Sequence, residues 1–345
     1  MTRSMAVSCL VVVAGAVGHA GQVAVVTAAQ PAIAAAQQTY QQVADIKIGG
    51  PLPAQWDYAL ADGPSKRLYV SHNAEVVVID TTTDQIVGRI ADTPGVHGIA
   101  VGAGKVFTSN GRENKISVVD PKTLATLNKI ESGGANPDAI TYEPTKNEIW
   151  VFNHTGMSAT QIDAASGKVL ATIPLTGTAE SGQADGAGKV FVNVEDKDQI
   201  DVIDIAAKKV MASWPVAPGT SPTGLSLDRA SHRLWVGAGK FMVMMDAQSG
   251  KVVSTVPICG GTDATWYDAS TKLAFSSCRD GHITVARVSG DAMTVVQTID
   301  TAPGSRTMAL DSATHKLYLA AAKPNPSGGR GNDPESFHVL VYALK

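Results

Sequence analysis

Seven polar or charged residues recur at intervals of 40 to 43 residues along most of the chain. They are Asp57, His97, Asp138, Ser181, Thr223, Asp263 and Arg306. Acids, an imidazole and a guanidinium that converge on one concavity would form a binding site for a small ligand or a partner. Trp56, beside the first acid, adds an aromatic surface to the candidate ligand-binding residues. The alternative is that these side chains only line a water-filled channel.

Three histidines extend the candidate site toward metal chemistry. His72, His97 and His154 fall in the first three intervals, near Asp57 and Asp138. Imidazole and carboxylate together suit Zn²⁺ or another divalent ion, and such an ion could activate water or acidify a substrate proton. Single histidines on separate loops are a less specific metal signal than a His-Glu-x-x-His helix. A divalent metal and a site without metal therefore both stay open.

These residues belong to a repeat of about forty residues, and the repeat is expected to bring them together. Its clearest copies read Lys-Arg-Leu-Tyr-Val-Ser-His-Asn at residues 66–73 and Gly-Lys-Val-Phe-Thr-Ser-Asn at residues 104–110. Each copy runs into a second short apolar strand, Val-Val-Val-Ile-Asp at 76–80 and Ile-Ser-Val-Val-Asp at 116–120. A period of this length made of short strands is typical of a β-propeller. We predict an all-β fold, a seven-bladed β-propeller with four-stranded antiparallel blades.

The composition, together with the sequence before the first repeat and after the last one, predicts one closed domain over residues 40–345. Hydrophobic residues make up 44% of the chain and charged residues 17%, with 33 glycines, as expected for many buried strands between tight turns. The last repeat ends without a fourth strand, and an unassigned strand at residues 40–48 precedes the first repeat. We predict that this N-terminal strand completes the last blade and closes the ring, which removes exposed strand edges. An insertion at residues 323–336 would be either a flap over the channel mouth or a solvated loop.

Two further sets of residues recur, and both are interpreted as structural. An aromatic residue on the second strand of each repeat is expected to pack between blades: Tyr69, Phe107, Trp150, Phe191, Trp235, Phe275 and Tyr318. An aspartate that ends the third strand is expected to accept hydrogen bonds from the following turn: Asp80, Asp120, Asp163, Asp204 and Asp246.

The N-terminus predicts export. A signal peptide over residues 1–34 is indicated by Arg3, by the long apolar stretch that follows it and by an Ala-Ile-Ala site at residues 32–34. The alternative, a membrane anchor, is disfavoured because glycines interrupt the apolar stretch. The two cysteines that remain after cleavage, Cys259 and Cys278, are expected to form a disulfide bond. We predict a periplasmic or secreted protein without a transmembrane span after cleavage.

The repeat resembles a known family. Leu-Tyr-Val-Ser-His-Asn followed by Val-Val-Val-Ile-Asp is similar to the YVTN-type propeller repeat of bacterial periplasmic YncE-like proteins, and the likeness covers residues 40–345. The resemblance implies an exported recognition propeller, with nucleic-acid binding reported for a relative. The net charge of −3 argues against nucleic acid as the partner of this chain.

If the strands of each blade are named A to D from the channel outward, the D–A crossovers and B–C loops share one face, called here the crossover face. We interpret the chain as an exported, non-catalytic propeller that binds an unidentified ligand or protein partner at this face. His232 and His315 fall in A–B turns on the opposite face, which we expect to be structural. The alternative function is a metal-assisted, lactonase-like hydrolase or lyase with a His/Asp site at the channel mouth.

Overall fold

The structure is a computed structural model that describes residues 39–326 and 332–345. Within these residues, 28 strands form seven antiparallel sheets of four strands each. The seven A strands contact one another in cyclic order, so the sheets form a closed ring around a central channel. The predicted seven-bladed β-propeller is confirmed.

The strand bounds follow the repeat. Blade one contains β2 (Ala59–Asp62), β3 (Arg67–His72), β4 (Glu75–Asp80) and β5 (Gln85–Ile90). Blade two contains β6 (Val96–Gly102), β7 (Lys105–Asn110), β8 (Lys115–Val119) and β9 (Thr126–Glu131). Blade three contains β10 (Pro137–Glu143), β11 (Glu148–Asn153), β12 (Ser158–Asp163) and β13 (Val169–Pro174). Blade four contains β14 (Ala179–Ala184), β15 (Lys189–Val194), β16 (Gln199–Asp204) and β17 (Lys209–Pro215). Blade five contains β18 (Pro222–Asp228), β19 (Arg233–Ala238), β20 (Phe241–Asp246) and β21 (Val252–Pro257). Blade six contains β22 (Thr262–Asp268), β23 (Leu273–Cys278), β24 (His282–Ser289) and β25 (Ala292–Asp300).

Blade seven joins the two ends of the domain. It contains β26 (Met308–Asp311), β27 (Lys316–Ala321) and β28 (His338–Leu344), with β1 (Tyr40–Lys47) as its outermost strand. β1 pairs antiparallel with β28 over its whole length. Closure of the ring by the N-terminal strand is therefore confirmed.

The core lies between the blades. The aromatic residues of the B strands are at most 1% exposed, and Tyr69, for example, packs against Val96 and Ile99 of the next blade. The B and C strands are buried along nearly their full length because a neighbouring sheet covers each of their faces. The recurring aromatics are thus confirmed as packing residues.

The recurring aspartates form the C–D turns. Asp80 Oδ1 accepts hydrogen bonds from the backbone N–H groups of Thr82 and Thr83, at 2.8 and 3.0 Å. The other four aspartates accept an equivalent backbone bond. Their role as turn formers is confirmed.

The A strands of blades two to six contain a β-bulge near their first residue. In blade three the pairing shifts between Pro137 and Ile140, and in blade four between Ala179 and Gly182. A bulge changes the direction in which side chains point and is common beside functional sites. It therefore decides which residues enter the channel at the crossover face.

The described part of the 323–336 insertion contacts blade one. A bridge pairs Pro324 with Asn332, whose side-chain amide donates to the carbonyl of Ala54 at 3.1 Å, and a short 3₁₀ helix spans Pro334–Ser336. A second 3₁₀ helix spans Glu195–Lys197. The predicted signal peptide, residues 1–34, lies outside the described residues. In the ranges the structure describes, no helix is both long and apolar enough to cross a bilayer.

The predicted disulfide bond is present. Cys259 precedes β22 and Cys278 ends β23, with their Cα atoms 5.7 Å apart. The bond fixes the crossover-face end of blade six and closes a loop with a sequence separation of 19 residues.

Loss of this bond is expected to lower stability. The double variant Cys259→Ser/Cys278→Ser should lose about 3 kcal/mol of unfolding free energy, because its unfolded state regains the entropy of the open loop. Urea denaturation of the oxidised protein, the reduced protein and the variant measures the loss, and the reduced protein should match the variant. Two free thiols in the denatured, unreduced protein, isolated from an oxidising compartment, would contradict the assignment.

Candidate functional site

The seven A strands surround a cavity of about 680 Å³ in the central channel. At its crossover-face end, two histidines and three acids from blades one to four approach one another. We call this group the mouth cluster: Asp57, His97, Asp138, His154 and Glu180. Their side chains range from 8% to 34% exposed, so the group is half-buried and still reachable from solvent.

Acids and imidazoles alternate across the cluster. His97 Nδ1 lies 2.6 Å from Asp57 Oδ2 and 3.4 Å from Asp138 Oδ1. His154 Nδ1 lies 3.7 Å from Asp138 Oδ2 and 3.4 Å from Glu180 Oε1. Asp138 is therefore the centre of the group, with one imidazole facing each of its two oxygens.

Local structure places each of these side chains. His97, Asp138 and Glu180 are the second residues of β6, β10 and β14, each at or beside the bulge of its strand. Asp57 lies just before β2, and His154 follows β11 in the B–C loop of blade three. Neighbouring blades thus bring residues far apart in sequence to one side of the channel mouth.

The two most buried acids hold their protons strongly. Burial, and then the charges of Asp57 and Glu180, raises the pKa of Asp138 well above its usual range. Burial, and then the charges of Asp57, Glu195 and other acids, raises the pKa of Glu180 to about 9. Close carboxyl groups with little access to water cannot all ionise, so the ion-free cluster is partly protonated near neutral pH.

The arginines that line the cavity have other partners. Arg279 contacts Asp263 at 3.1 Å on the far side of the mouth. Arg306 donates to the carbonyl of Trp56 at 3.0 Å, and Arg229 donates to a backbone carbonyl of blade four. Within the described residues, no Lys or Arg nitrogen lies within 4 Å of a mouth-cluster carboxylate. Among the residues that the structure describes, the only side chains with a positive charge available to the cluster acids at that distance are the imidazoles of His97 and His154.

The predicted ring of seven residues divides into two parts. Asp57, His97 and Asp138 meet as expected. Ser181 Oγ donates to the carbonyl of Thr223, whose own hydroxyl donates to the next blade. These hydroxyls hold adjacent blades together and do not face the cluster.

Asp263, another residue of the predicted ring, also has partners outside the mouth cluster. Its second carboxylate oxygen accepts from Thr307 Oγ1 at 2.8 Å. It lines the cavity opposite the mouth cluster, where Arg279 offsets its charge.

Three predicted residues pack at the interface of blades one and seven. Trp56 is 5% exposed and stacks on Phe337, with Arg306 5.6 Å above its ring. His72 is 1% exposed, contacts Glu75 at 3.0 Å and stacks on Phe337. Burial lowers the pKa of His72, which keeps it neutral. In the described chain His72 belongs to no group of three metal-ligating side chains, unlike His97 and His154.

Sequence reasoning missed Glu180 and its neighbours. Glu180 stands one residue before the repeat position that identified Ser181, and Tyr58 directly follows Asp57. The Tyr58 hydroxyl donates to Glu180 Oε2 at 3.3 Å, which links blade one to blade four across the mouth. An acid next to a repeat position was the only sign of Glu180 in the sequence.

Two groups in the mouth have the composition of metal sites. Asp57, His97 and Asp138 form one, and Asp138, His154 and Glu180 form the other, each with ligand atoms within 4.8 Å of one another. Neutral imidazole and carboxylate are ligands of divalent ions. A third group combines Asp280 with Cys259 and Cys278, but the disulfide bond leaves those cysteines no thiolate for a metal.

Comparison with known proteins supports the fold. No family model matches the chain. The uncharacterized protein YncE of Salmonella typhi is 21% identical over 279 residues, which span 79% of this chain and 69% of that protein. A chain of the Kuenenia stuttgartiensis hydrazine synthase superimposes with a TM-score of 0.71 at 15% identity, covering 86% of this chain and 98% of its own. The RRP9 WD40 repeats superimpose with a TM-score of 0.75 at 9% identity, covering 90% and 100%. By its seven four-stranded blades the chain is a seven-bladed β-propeller, and in sequence it is similar to YncE.

Proposed function

We propose that this protein is an exported, non-catalytic propeller that binds a small cationic ligand at the channel mouth. The observation that carries the proposal is the mouth cluster itself, in which one buried and two half-buried acids line the cavity without a Lys or Arg partner within 4 Å among the described residues. Burying carboxylates without positively charged partners lowers the stability of the folded protein. A cation that enters the mouth supplies the missing charge.

Two other features support an exported protein with a cationic ligand. The disulfide bond suits an oxidising compartment outside the cytoplasm, as does the sequence of the N-terminal segment. The acidic mouth repels phosphate groups, so nucleic acid is not the ligand we propose for this site.

Cation binding is expected to disappear when the charge of the mouth is reduced. The variant Asp57→Asn/Glu180→Gln should lose at least about tenfold in affinity, because it removes two of the three acids. Titration calorimetry with EDTA-treated protein, using ZnCl₂, MnCl₂ and 1,4-diaminobutane as separate probes, measures the loss.

The matched control is Glu131→Gln/Asp300→Asn, which removes the same formal charge from side chains that are 73% and 95% exposed. This control should bind as the wild type does. If no probe binds the wild type, or if the control loses as much affinity as the mouth variant, the mouth is not a cation site.

A metal-assisted hydrolase or lyase is the second candidate function. The observation in its favour is the cavity of about 680 Å³ that the three acids of the two metal-like groups line, which has room for an organic substrate. Metal-dependent turnover of a lactone by the wild type, absent from Asp57→Asn/Glu180→Gln, would favour this function over simple binding.

A further inference from the structure

Asp138 is the one residue that the two metal-like groups of the mouth share. Its Oδ1 faces His97 Nδ1 at 3.4 Å, and its Oδ2 faces His154 Nδ1 at 3.7 Å. Each imidazole has a second acid on its other side, Asp57 for His97 and Glu180 for His154. The cluster thus consists of two similar halves, each with one imidazole and one outer acid, joined by a central carboxylate.

One oxygen of the central carboxylate has no hydrogen-bond donor among the described residues. The side chain of Asp138 is 8% exposed, and its Oδ1 is buried without a hydrogen-bond partner. His97 Nδ1 lies 3.4 Å from this oxygen but is directed at Asp57 Oδ2, at 2.6 Å. A buried carboxylate oxygen without a partner costs free energy, and such atoms are rare in folded proteins unless an ion or water satisfies them.

We propose that the mouth cluster binds two divalent transition-metal ions bridged by Asp138, an inference that rests on the proposed cation-binding function. One ion lies between Asp57, His97 and Asp138, and the second lies between Asp138, His154 and Glu180. A carboxylate that gives one oxygen to each ion holds a pair about 3.5–4 Å apart, as in two-metal sites. Each ion then has three protein ligands and keeps open positions toward the cavity.

Two ions fit this arrangement better than one. Among the described residues, no group of three or more ligand atoms within 4.8 Å of one another contains both imidazoles. A single ion would therefore use one histidine and leave the other imidazole and its outer acid without a role.

The charge also matches two ions. Asp57, Asp138 and Glu180 provide three negative charges when ionised, and Glu195 lines the cavity beside them. Four carboxylates balance two divalent ions.

A glycine beside His97 leaves space for its ring. A Cβ atom added at Gly111 would lie 2.6 Å from His97 Nε2 and 2.5 Å from Asn136 Oδ1. Gly111 therefore leaves the room that the ring needs on its Nε2 side, and Nδ1 is the nitrogen that faces the acids. A donor set of one imidazole and two carboxylates per ion suits Zn²⁺ or Mn²⁺.

Metal stoichiometry tests the inference. Protein purified without a histidine tag and treated with EDTA is dialysed against ZnCl₂ or MnCl₂, and the bound metal is measured by mass spectrometry. The wild type should bind about two ions per chain. His97→Gln and His154→Gln should each bind about one, since each variant loses a ligand of one ion only. Asp138→Asn, which loses the bridge, should bind neither ion tightly.

A spectroscopic measurement separates a bridged pair from two independent ions. With Mn²⁺, the electron paramagnetic resonance spectrum of the wild type should show magnetic coupling between two ions. His97→Gln should show an isolated ion. The control Glu131→Gln/Asp300→Asn should match the wild type, and thermal melts confirm that each variant is folded.

The outcomes distinguish this inference from the function on which it rests. One ion per wild-type chain, two uncoupled Mn²⁺ ions, or binding of 1,4-diaminobutane without metal would each overturn the bridged pair and leave cation binding intact. Binding of none of the three probes would overturn both.

Discussion

Deletion of residues 40–48 is expected to cause aggregation or loss of the cooperative unfolding transition. Without β1, the strand β28 becomes an exposed edge that can pair with other chains. The deletion also removes buried anchors from the core: Tyr40 is 2% and Ile46 is 7% exposed, and burial of Ile46 alone contributes roughly 1.5–3 kcal/mol. Tyr40 further contacts Phe275 of blade six and donates its hydroxyl to the carbonyl of His315.

The experiment compares a chain that begins at residue 39 with a chain that begins at residue 49. Size-exclusion chromatography with light scattering and a thermal melt report aggregation and cooperativity. Only the shorter chain should aggregate or melt broadly. Equal melting of two monomeric proteins would show that the ring does not need its N-terminal strand.

The second large effect is expected in the pH dependence of stability of the ion-free protein. Glu180 titrates near pH 4.5 when exposed, and the fold raises its pKa to about 9. A group that binds its proton more tightly in the folded state contributes stability below its unfolded pKa, and this stability is lost as pH rises. The melting temperature of the wild type in EDTA should therefore fall between about pH 5 and pH 9.

Glu180→Gln should reduce that fall because the amide does not ionise. The difference in slope is at most about 1.4 kcal/mol for each pH unit. Glu180 has two contacts within 3.4 Å, His154 and Tyr58. Four other acids also surround it: Asp57, Asp138, Glu195 and Asp263. Glu131→Gln, at an exposed site, should keep the wild-type slope. The same slope for Glu180→Gln and the wild type would show that burial of Glu180 does not oppose its ionisation.

Most of the fold could be predicted because the same physical requirement is repeated seven times. Each repeat must bury an aromatic residue against the next blade and must turn sharply after an aspartate, as Tyr69 and Asp80 do in blade one. A single aromatic residue or a single aspartate would be ambiguous, but the regular recurrence of both predicts the number of blades. The missing fourth strand of the last repeat then predicts where Tyr40–Lys47 must lie.

The site was only partly predictable because it depends on departures from the repeat. The bulge in β14 lets Glu180 reach the mouth, whereas Ser181 at the repeat position bonds to the next blade. Strict alternation along a strand cannot reveal such a change of direction. His72 is covered by Phe337, which follows the irregular insertion of the last repeat and has no counterpart in the motif. Its burial depends on a contact between residues far apart in sequence.

The pairing of β1 with β28 also determines that the seventh sheet is completed late during synthesis of the chain. A chain made from its N-terminus carries β1 without a partner until β28, the last strand of blade seven, has emerged. Strands of blades one to six meet partners that are close in sequence, so these sheets can form earlier. Until β28 emerges, the unfinished seventh sheet exposes edges that can recruit other chains. The interval before β28 emerges is therefore when a chaperone has most to protect, and the pairing of β1 with β28 ends it.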